Sequence, residues 1–302
     1  MDLNFVQLVF DVETDNPDTL AAYFYQALRS FDLFFRQSCC RYGSKTCHAC
    51  KEQSVCPYPD VFSQKLSPDP DVVRRHQKPP LPFAFKIRQL SDNSSCLELS
   101  LVAVGNAVNY LQVFIGAIHR LIESTYEKCP GASADIIGTY CLDYQSVRHE
   151  LETSSNDPLN LILLSCLEIM NNSADSVDIR LILESPLRLV SAGSVLHTMI
   201  FSAFLRSQLR RCSSLFAYYG DGELDIDYSG LSTAAIHVKC LNDGIKYVQP
   251  FWSQRQNSAG LTGLSVFGGV SSGILPLLAL GSYLNAGKGA SFGMGAYRVD
   301  AM

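Results

Sequence analysis

The chain has 302 residues and a formal net charge of -5, with 47% hydrophobic and 18% charged residues. That composition supplies a sizeable core and excludes a disordered chain. Net acidity excludes a protein that coats nucleic acid indiscriminately, while leaving room for a local basic groove.

The opening stretch, 1–12, carries acids where a secretory leader has a basic region and an apolar run. Eleven cysteines without export point to thiols or metal ligands in a reducing cytoplasm. Residues 256–287 contain no charge over a length that exceeds a membrane span. Gly260, Gly263, Gly268, Gly269, Gly273 and Pro276 break that run, so a cytoplasmic chain with no membrane partner is expected.

Residues 5–13 alternate apolar and polar side chains and read as a strand, with Asp18 as N-cap of the next helix. Leu20, Tyr23, Phe24, Leu28, Phe31 and Phe35 recur at helical spacing and predict a helix over 20–36. The stretch 39–82 is rich in Cys, Pro, Ser and charges and shows no period. A loop of that length inside a compact domain is usually functional or stapled by a metal. Strands are predicted over 83–88 and 96–104, a helix over 106–127 and a strand over 141–151. A second round follows: strand 176–183, helices 194–216 and 228–240, strands 246–253 and 261–268, helix 275–284 and strand 291–299.

The order strand, helix, strand, strand, helix, strand is that of a ferredoxin-like unit. The expected architecture is therefore α+β, with two such domains in tandem. Residues 1–172 form the first, carrying a cysteine-rich insertion at 39–82. Residues 173–302 form the second, carrying a glycine-rich loop at 287–295.

Within the insertion, Cys47, Cys50 and Cys56, with Cys39 or Cys40 upstream, offer four soft ligands at short range. A structural zinc held by Cys40, Cys47, Cys50 and Cys56 would tie down a loop that lacks a core of its own. A disulfide and unligated thiols are the alternatives, because the spacing is not that of paired zinc knuckles.

Gly287-Lys288-Gly289-Ala290-Ser291-Phe292-Gly293-Met294-Gly295 is the most specific local pattern. Glycine lets the backbone approach a ligand closely, and Lys288 adds a point charge for a phosphate. It is not a nucleotide-hydrolase phosphate loop: Gly281 to Gly287 is one residue too long, and Gly289 stands where Ser or Thr should hold magnesium. A structural turn entering the last strand is the plain alternative. Two basic groups accompany it. Arg206 and Arg210 share a helical face with Arg211 adjacent, and Arg74, Arg75, Lys78, Lys86 and Arg88 flank a proline-rich segment. Solvated faces explain these as well as a nucleic-acid track does. Phe251, Trp252 and Tyr297, beside Arg255 and Arg298, suit either base stacking or packing.

Collinear blocks along the chain resemble the CRISPR precursor-RNA-processing endoribonucleases of the RAMP superfamily. They include 276–281 with 287–298, Cys47-His48-Ala49-Cys50 with Cys56-Pro57-Tyr58, Pro79 to Phe83, and Gly105 to Tyr110. Ser185 to Leu189, Leu209-Arg210-Arg211, Tyr219-Gly220 and Trp252 to Gln256 complete the series. The resemblance implies paired ferredoxin-like domains that bind and cut CRISPR repeat RNA. The ribose 2′-hydroxyl attacks the adjacent phosphate, giving a 2′,3′-cyclic phosphate without a catalytic metal or other cofactor. Such chemistry needs a base, an acid and donors to the phosphate.

His48, with Tyr42 and Lys45 nearby, is the candidate catalytic group, and His76 is a candidate phosphate contact. The expected RNA contacts are Lys288, Gly287, Gly289, Ser291, Asn285, Arg206, Arg210, Arg211, Arg255 and Arg298. Asn285, Phe251 and Leu81 stand where relatives often carry His, Arg and His. Asparagine cannot shuttle a proton near neutral pH. The alternative is therefore an inactive subunit that holds repeat RNA alongside other CRISPR effector proteins.

Overall fold

The computed structural model describes residues 2–42, 47, 50–90, 95–129, 131–152, 159–171, 177–250 and 258–302. Strand β1 (Asn4–Glu13) is buried along almost its whole length. Asn16, not the expected Asp18, caps α1 (Pro17–Ala27): its side chain accepts from the Thr19 amide at 3.1 Å, and Pro17 opens the first turn. A single helix was expected over 20–36. Instead a 3₁₀ turn at Leu28–Ser30 separates α1 from α2 (Phe31–Cys39). The apolar spacing carries across that turn, so periodicity alone does not reveal the break.

The insertion contains two helices too short to register as a period, α3 (Pro57–Phe62) and α4 (Pro70–His76), each opened by a proline. Then follow β2 (Phe83–Gln89), β3 (Cys96–Val104), a 3₁₀ turn at Gly105–Tyr110, α5 (Leu111–Glu123) and α6 (Thr125–Lys128). The strand expected over 141–151 is two strands. These are β4 (Asp135–Leu142) and β5 (Arg148–Glu150), reversed through Ser146 at φ 61°. Short β6 (Leu164–Ser165) also pairs with β1. The strands lie in the order β2-β3-β1-β4-β5, antiparallel throughout.

After α7 (Cys166–Met170) the pattern repeats with β7 (Val177–Leu187). A hairpin of β8 (Val190–Ser191) and β9 (Ser194–Val195) precedes α8 (Phe201–Tyr219), so the helix expected from 194 starts seven residues later, at Phe201. Helix α9 (Tyr228–His237), β10 (Lys239–Asp243), β11 (Lys246–Val248), β12 (Gly260–Val270), α10 (Leu275–Leu284) and β13 (Tyr297–Ala301) complete the chain. Their sheet runs β10-β12-β7-β13. In both sheets the four principal strands lie in the order second, third, first, fourth, which is the ferredoxin-like arrangement. The fold is α+β with two such units in tandem. The expected boundary at 172/173 falls at the edge of 172–176, which lie outside the described residues.

Each sheet carries its helices on one face. Phe24, Phe31, Phe35 and Phe114 pack on Phe83 and Phe85 of β2, with centroids of 4.7 Å for Phe31–Phe85 and 4.8 Å for Phe35–Phe114. Around the second sheet, Phe204, Leu205, Cys212 and Phe216 of α8 meet Leu277, Leu278 and Tyr297. The cores trade residues. Leu3, Phe5, Val102 and Val104 pack into the second, while Met294 and Phe292 of the glycine-rich loop pack into the first. No described helix is long and apolar enough to cross a membrane.

A candidate anion-binding groove

A cavity of about 630 Å³ opens between four segments of the chain. The first half contributes His76, Lys78 and Pro80, just beyond α4. The β7–β8 connection and its hairpin contribute Arg188 and residues 190–193. Helix α8 contributes Arg206, Arg210 and Arg211, and the glycine-rich loop contributes Gly287 and Lys288.

The shape of α8 explains how these charges come to face one space. Ala203, Ser207, Arg210, Arg211 and Ser214 recur at three- and four-residue steps and face the groove, while Phe204, Leu205, Leu209, Cys212 and Phe216 bury the other side. Small residues at 203, 207 and 214 leave the helix backbone open to close approach. Among the described residues that line it, the groove has six lysines and arginines and no carboxylate. A chain of net charge -5 thus concentrates positive potential in one cleft, which suits a polyanion.

Not every residue expected here reaches the groove with its side chain. Arg206, Arg210 and Lys288 are exposed within it. Arg211 lies at its floor, but its guanidinium turns inward, donating to Leu284 O at 2.8 Å, Phe83 O at 3.2 Å and Ser291 Oγ at 3.4 Å. Burial pushes that guanidinium down to about 10. Arg211 and Ser291 therefore brace the two halves against each other, which corrects their expected place as ligand contacts.

Asn285 needs the same correction. It is 0% exposed, sits at φ 60°, and its amide donates to Phe85 O at 2.7 Å and Ala290 O at 2.9 Å. Its side chain holds the entry to the glycine-rich loop against β2. The loop is also not the open amide cradle that its glycines suggest. The Gly287 amide donates to Ser207 Oγ at 3.2 Å, the Lys288 amide to Arg188 O at 2.9 Å, and the Gly295 amide to Pro186 O at 3.0 Å. Gly287 lines the groove and Gly289 does not; what the turn presents to a ligand is the Lys288 ammonium.

Arg298 stands on the edge strand β13, 3.6 Å from Asp300 and away from the groove. Arg255, Phe251 and Trp252 lie outside the described residues, as do His48 and Lys45. Tyr42 is exposed and donates to Glu52 Oε1 at 3.0 Å, a hydrogen bond that raises its phenol above the usual range. It does not line the groove. Of the other basic cluster, Arg74 pairs with Asp71, Arg75 with Glu223, and Arg88 with Glu184, while Lys86 is buried. Lys78 and His76 are what that cluster gives to the groove. Burial lowers the His76 pKa, against an opposing pull from Glu223. Arg188 was absent from the expected contacts. Its signal was the Ser185-Pro186-Leu187-Arg188 block, whose charge faces the groove only because β7 ends there.

The cysteines at 40, 47, 50 and 56 form no disulfide among the described residues. Among the described residues no group of three or more His, Cys, Asp or Glu is drawn up to hold a metal ion.

Comparison with known proteins follows the same division of the chain. Residues 181–297 match the family model of CRISPR-associated endoribonuclease Cas6. Residues 3–129 match AF_1859_N, a model of an N-terminal domain. No curated protein matches the sequence. Among solved structures, a Cas6 (TTHA0078) product complex aligns over 99% of both chains at 15% identity with a TM-score of 0.56. The Cas6 (TTHA0078) substrate mimic complex aligns over 98% of this chain and 99% of that one, at 14% identity and a TM-score of 0.53. Thermus thermophilus Cas6 (TTHB231) aligns over 99% of both chains at 10% identity and a TM-score of 0.55. At these identities the structural likeness is one of fold. Residues 181–297 thus resemble the CRISPR-associated endoribonuclease Cas6 family in sequence, on a fold that the chain shares with Cas6 structures along its whole length.

Proposed function

We propose that the groove holds the phosphate backbone of CRISPR repeat RNA and that the chain cuts this RNA by a metal-independent route. The observation that carries the reading is the convergence of Lys78, Arg188, Arg206, Arg210 and Lys288, with no lining carboxylate among the described residues, beside a Cas6-type glycine-rich loop. Cations in such a cleft release counterions from the strand they neutralise, which gives binding a steep salt dependence.

In the proposed reaction the 2′-oxygen attacks the neighbouring phosphorus as the bond to the 5′-oxygen breaks. The base removes the 2′-hydroxyl proton and the acid protonates the leaving oxygen, leaving a 2′,3′-cyclic phosphate and a 5′-hydroxyl. His48 is the proposed proton carrier, with Tyr42 and Lys45 as donors to the phosphoryl oxygens. Tyr42 would exchange its Glu52 partner for RNA.

The test is cleavage of labelled repeat RNA in excess chelator, with a control RNA carrying 2′-deoxyribose at the cut position. Cutting that survives the chelator, stops with the deoxy substitution and leaves a cyclic phosphate supports the reaction. Cutting that requires added metal overturns it. One observation favours a second reading, a subunit that holds repeat RNA for other effector proteins without cutting. Asn285, where relatives often carry histidine, is sealed inside the protein. Tight binding with no cutting on any repeat would select that reading.

A further inference from the structure

We propose that Cys40, Cys47, Cys50 and Cys56 bind one structural zinc ion, with Arg36 as its counter-charge. The inference stands apart from the RNA reading. The four thiols line a single cavity of about 20 Å³, closed by Arg36, Gln53, Tyr58 and Pro59. That is room for one ion or one water.

The thiols also occupy the positions from which a metal would fasten this segment. Cys40 is the C-cap of α2 and Cys56 the N-cap of α3, where it makes no side-chain capping hydrogen bond. Between them, the Cys50 amide donates to Cys47 O at 3.1 Å and the Gln53 amide to Cys50 O at 3.2 Å, a turn that brings the two-residue spacing onto one side. No described residue from 40 to 56 is buried, and Val55 is 75% exposed. Hydrophobic packing therefore does not hold this segment together, yet four of its thiols line one small cavity.

A zinc with four thiolates carries about two negative charges and favours a donor beside its sulfurs. Arg36 fits that place. Its guanidinium lies against Cys40 and Cys47 and over the Tyr58 ring at 5.7 Å, and its Nη2 is buried with no hydrogen-bond partner. Among the described residues no three of these thiols stand together at metal-binding distance, so the proposal requires them to draw in around the ion. In sequence, two of the ligands bracket His48, so the metal would fix both ends of the short run that carries the proposed proton carrier.

The test is zinc content, which does not depend on RNA cleavage. Wild-type chain purified under reductant with zinc present is expected to retain one zinc per chain after extensive dialysis. Cobalt substitution should give the intense thiolate charge-transfer and d–d bands of a tetrahedral sulfur site. Cys50→Ser should lose the zinc, and Cys240→Ser, changing an exposed cysteine elsewhere, should keep it. Should Cys50→Ser fail to fold, the cobalt spectrum of the wild type decides. Substoichiometric zinc in the reduced wild type, a cobalt spectrum of oxygen ligation, or a mapped disulfide among the four would each overturn the site.

Discussion

Lys288 stands on a turn whose neighbouring amides already have protein acceptors, so its ammonium is what the turn offers a phosphate. Lys288→Ala is expected to weaken repeat-RNA binding and to reduce the slope of log K against log salt by about 1. Anisotropy titrations across a salt series check this, and an unchanged slope would remove Lys288 from the phosphate track. Lys86 has the opposite fate. It is 5% exposed among Arg88, Glu98 and Glu184, and burial lowers its pKa to about 8. Below about pH 8 the ammonium is charged in both states and the folded chain bears the full cost of burying it. Between about 8 and 10.5 the folded chain gives up the proton that the unfolded chain still holds, so this group makes stability rise with pH. Lys86→Met removes a burden of about 3 kcal/mol at most, and Glu98 and Glu184 keep their guanidinium partners Arg148 and Arg88. Unfolding midpoints should show the variant more stable at pH 7, with the gain shrinking toward pH 10. An equal gain at both pH values would show that the ammonium's burial is not the cause.

The glycine-rich loop acts as a clasp between the halves. Phe292 sits 5.9 Å from Phe83 and Met294 enters the first core, while Gly295 accepts no side chain. At φ 66° a Cβ on Gly295 would stand 2.0 Å from Ala286 O, whereas at Gly131, φ 86°, nothing lies within 4 Å. Gly295→Ala is expected to cost at least about 2 kcal/mol in denaturant unfolding, and Gly131→Ala only the left-handed strain of about 1 kcal/mol. Similar losses for the two would mean that the clasp is not tight. The position of this loop was readable from its glycines, but its inward amides were not, because their acceptors at 186, 188 and 207 are distant in sequence. The hairpin before α8 was hidden for another reason. Its turn places Ala192 at φ 47° and Gly193 at φ 80°, and alanine gives no hint of the left-handed conformation that asparagine would announce. Likewise β10 runs straight on from α9 at Val238 with no glycine or proline between, so residues 239–240 read as more helix.

Strand and helix order disclosed the tandem ferredoxin-like fold, since each unit's apolar periods are local and strong. The groove was only half visible. Arg206 and Arg210 announced a shared face through their spacing on α8, whereas Lys78, Arg188 and Lys288 join them only when β7, α8 and the clasp have packed. Net charge concealed the cleft altogether, because the carboxylates are spent elsewhere: Asp11 and Glu98 on Arg148, Glu184 on Arg88, Glu223 on Arg75. If binding follows this segregated field, position must matter more than total charge. Arg206→Glu with Arg210→Glu places two carboxylates in the cleft, removing two phosphate partners and repelling the rest of the strand. Repeat-RNA affinity should fall at least about a hundredfold at moderate salt, with a smaller salt slope. Arg298→Glu, on the edge of the second sheet outside the cleft, should leave affinity within about twofold. Comparable losses from the two variants would mean that RNA follows the protein's overall charge, and the groove would lose its claim to the backbone.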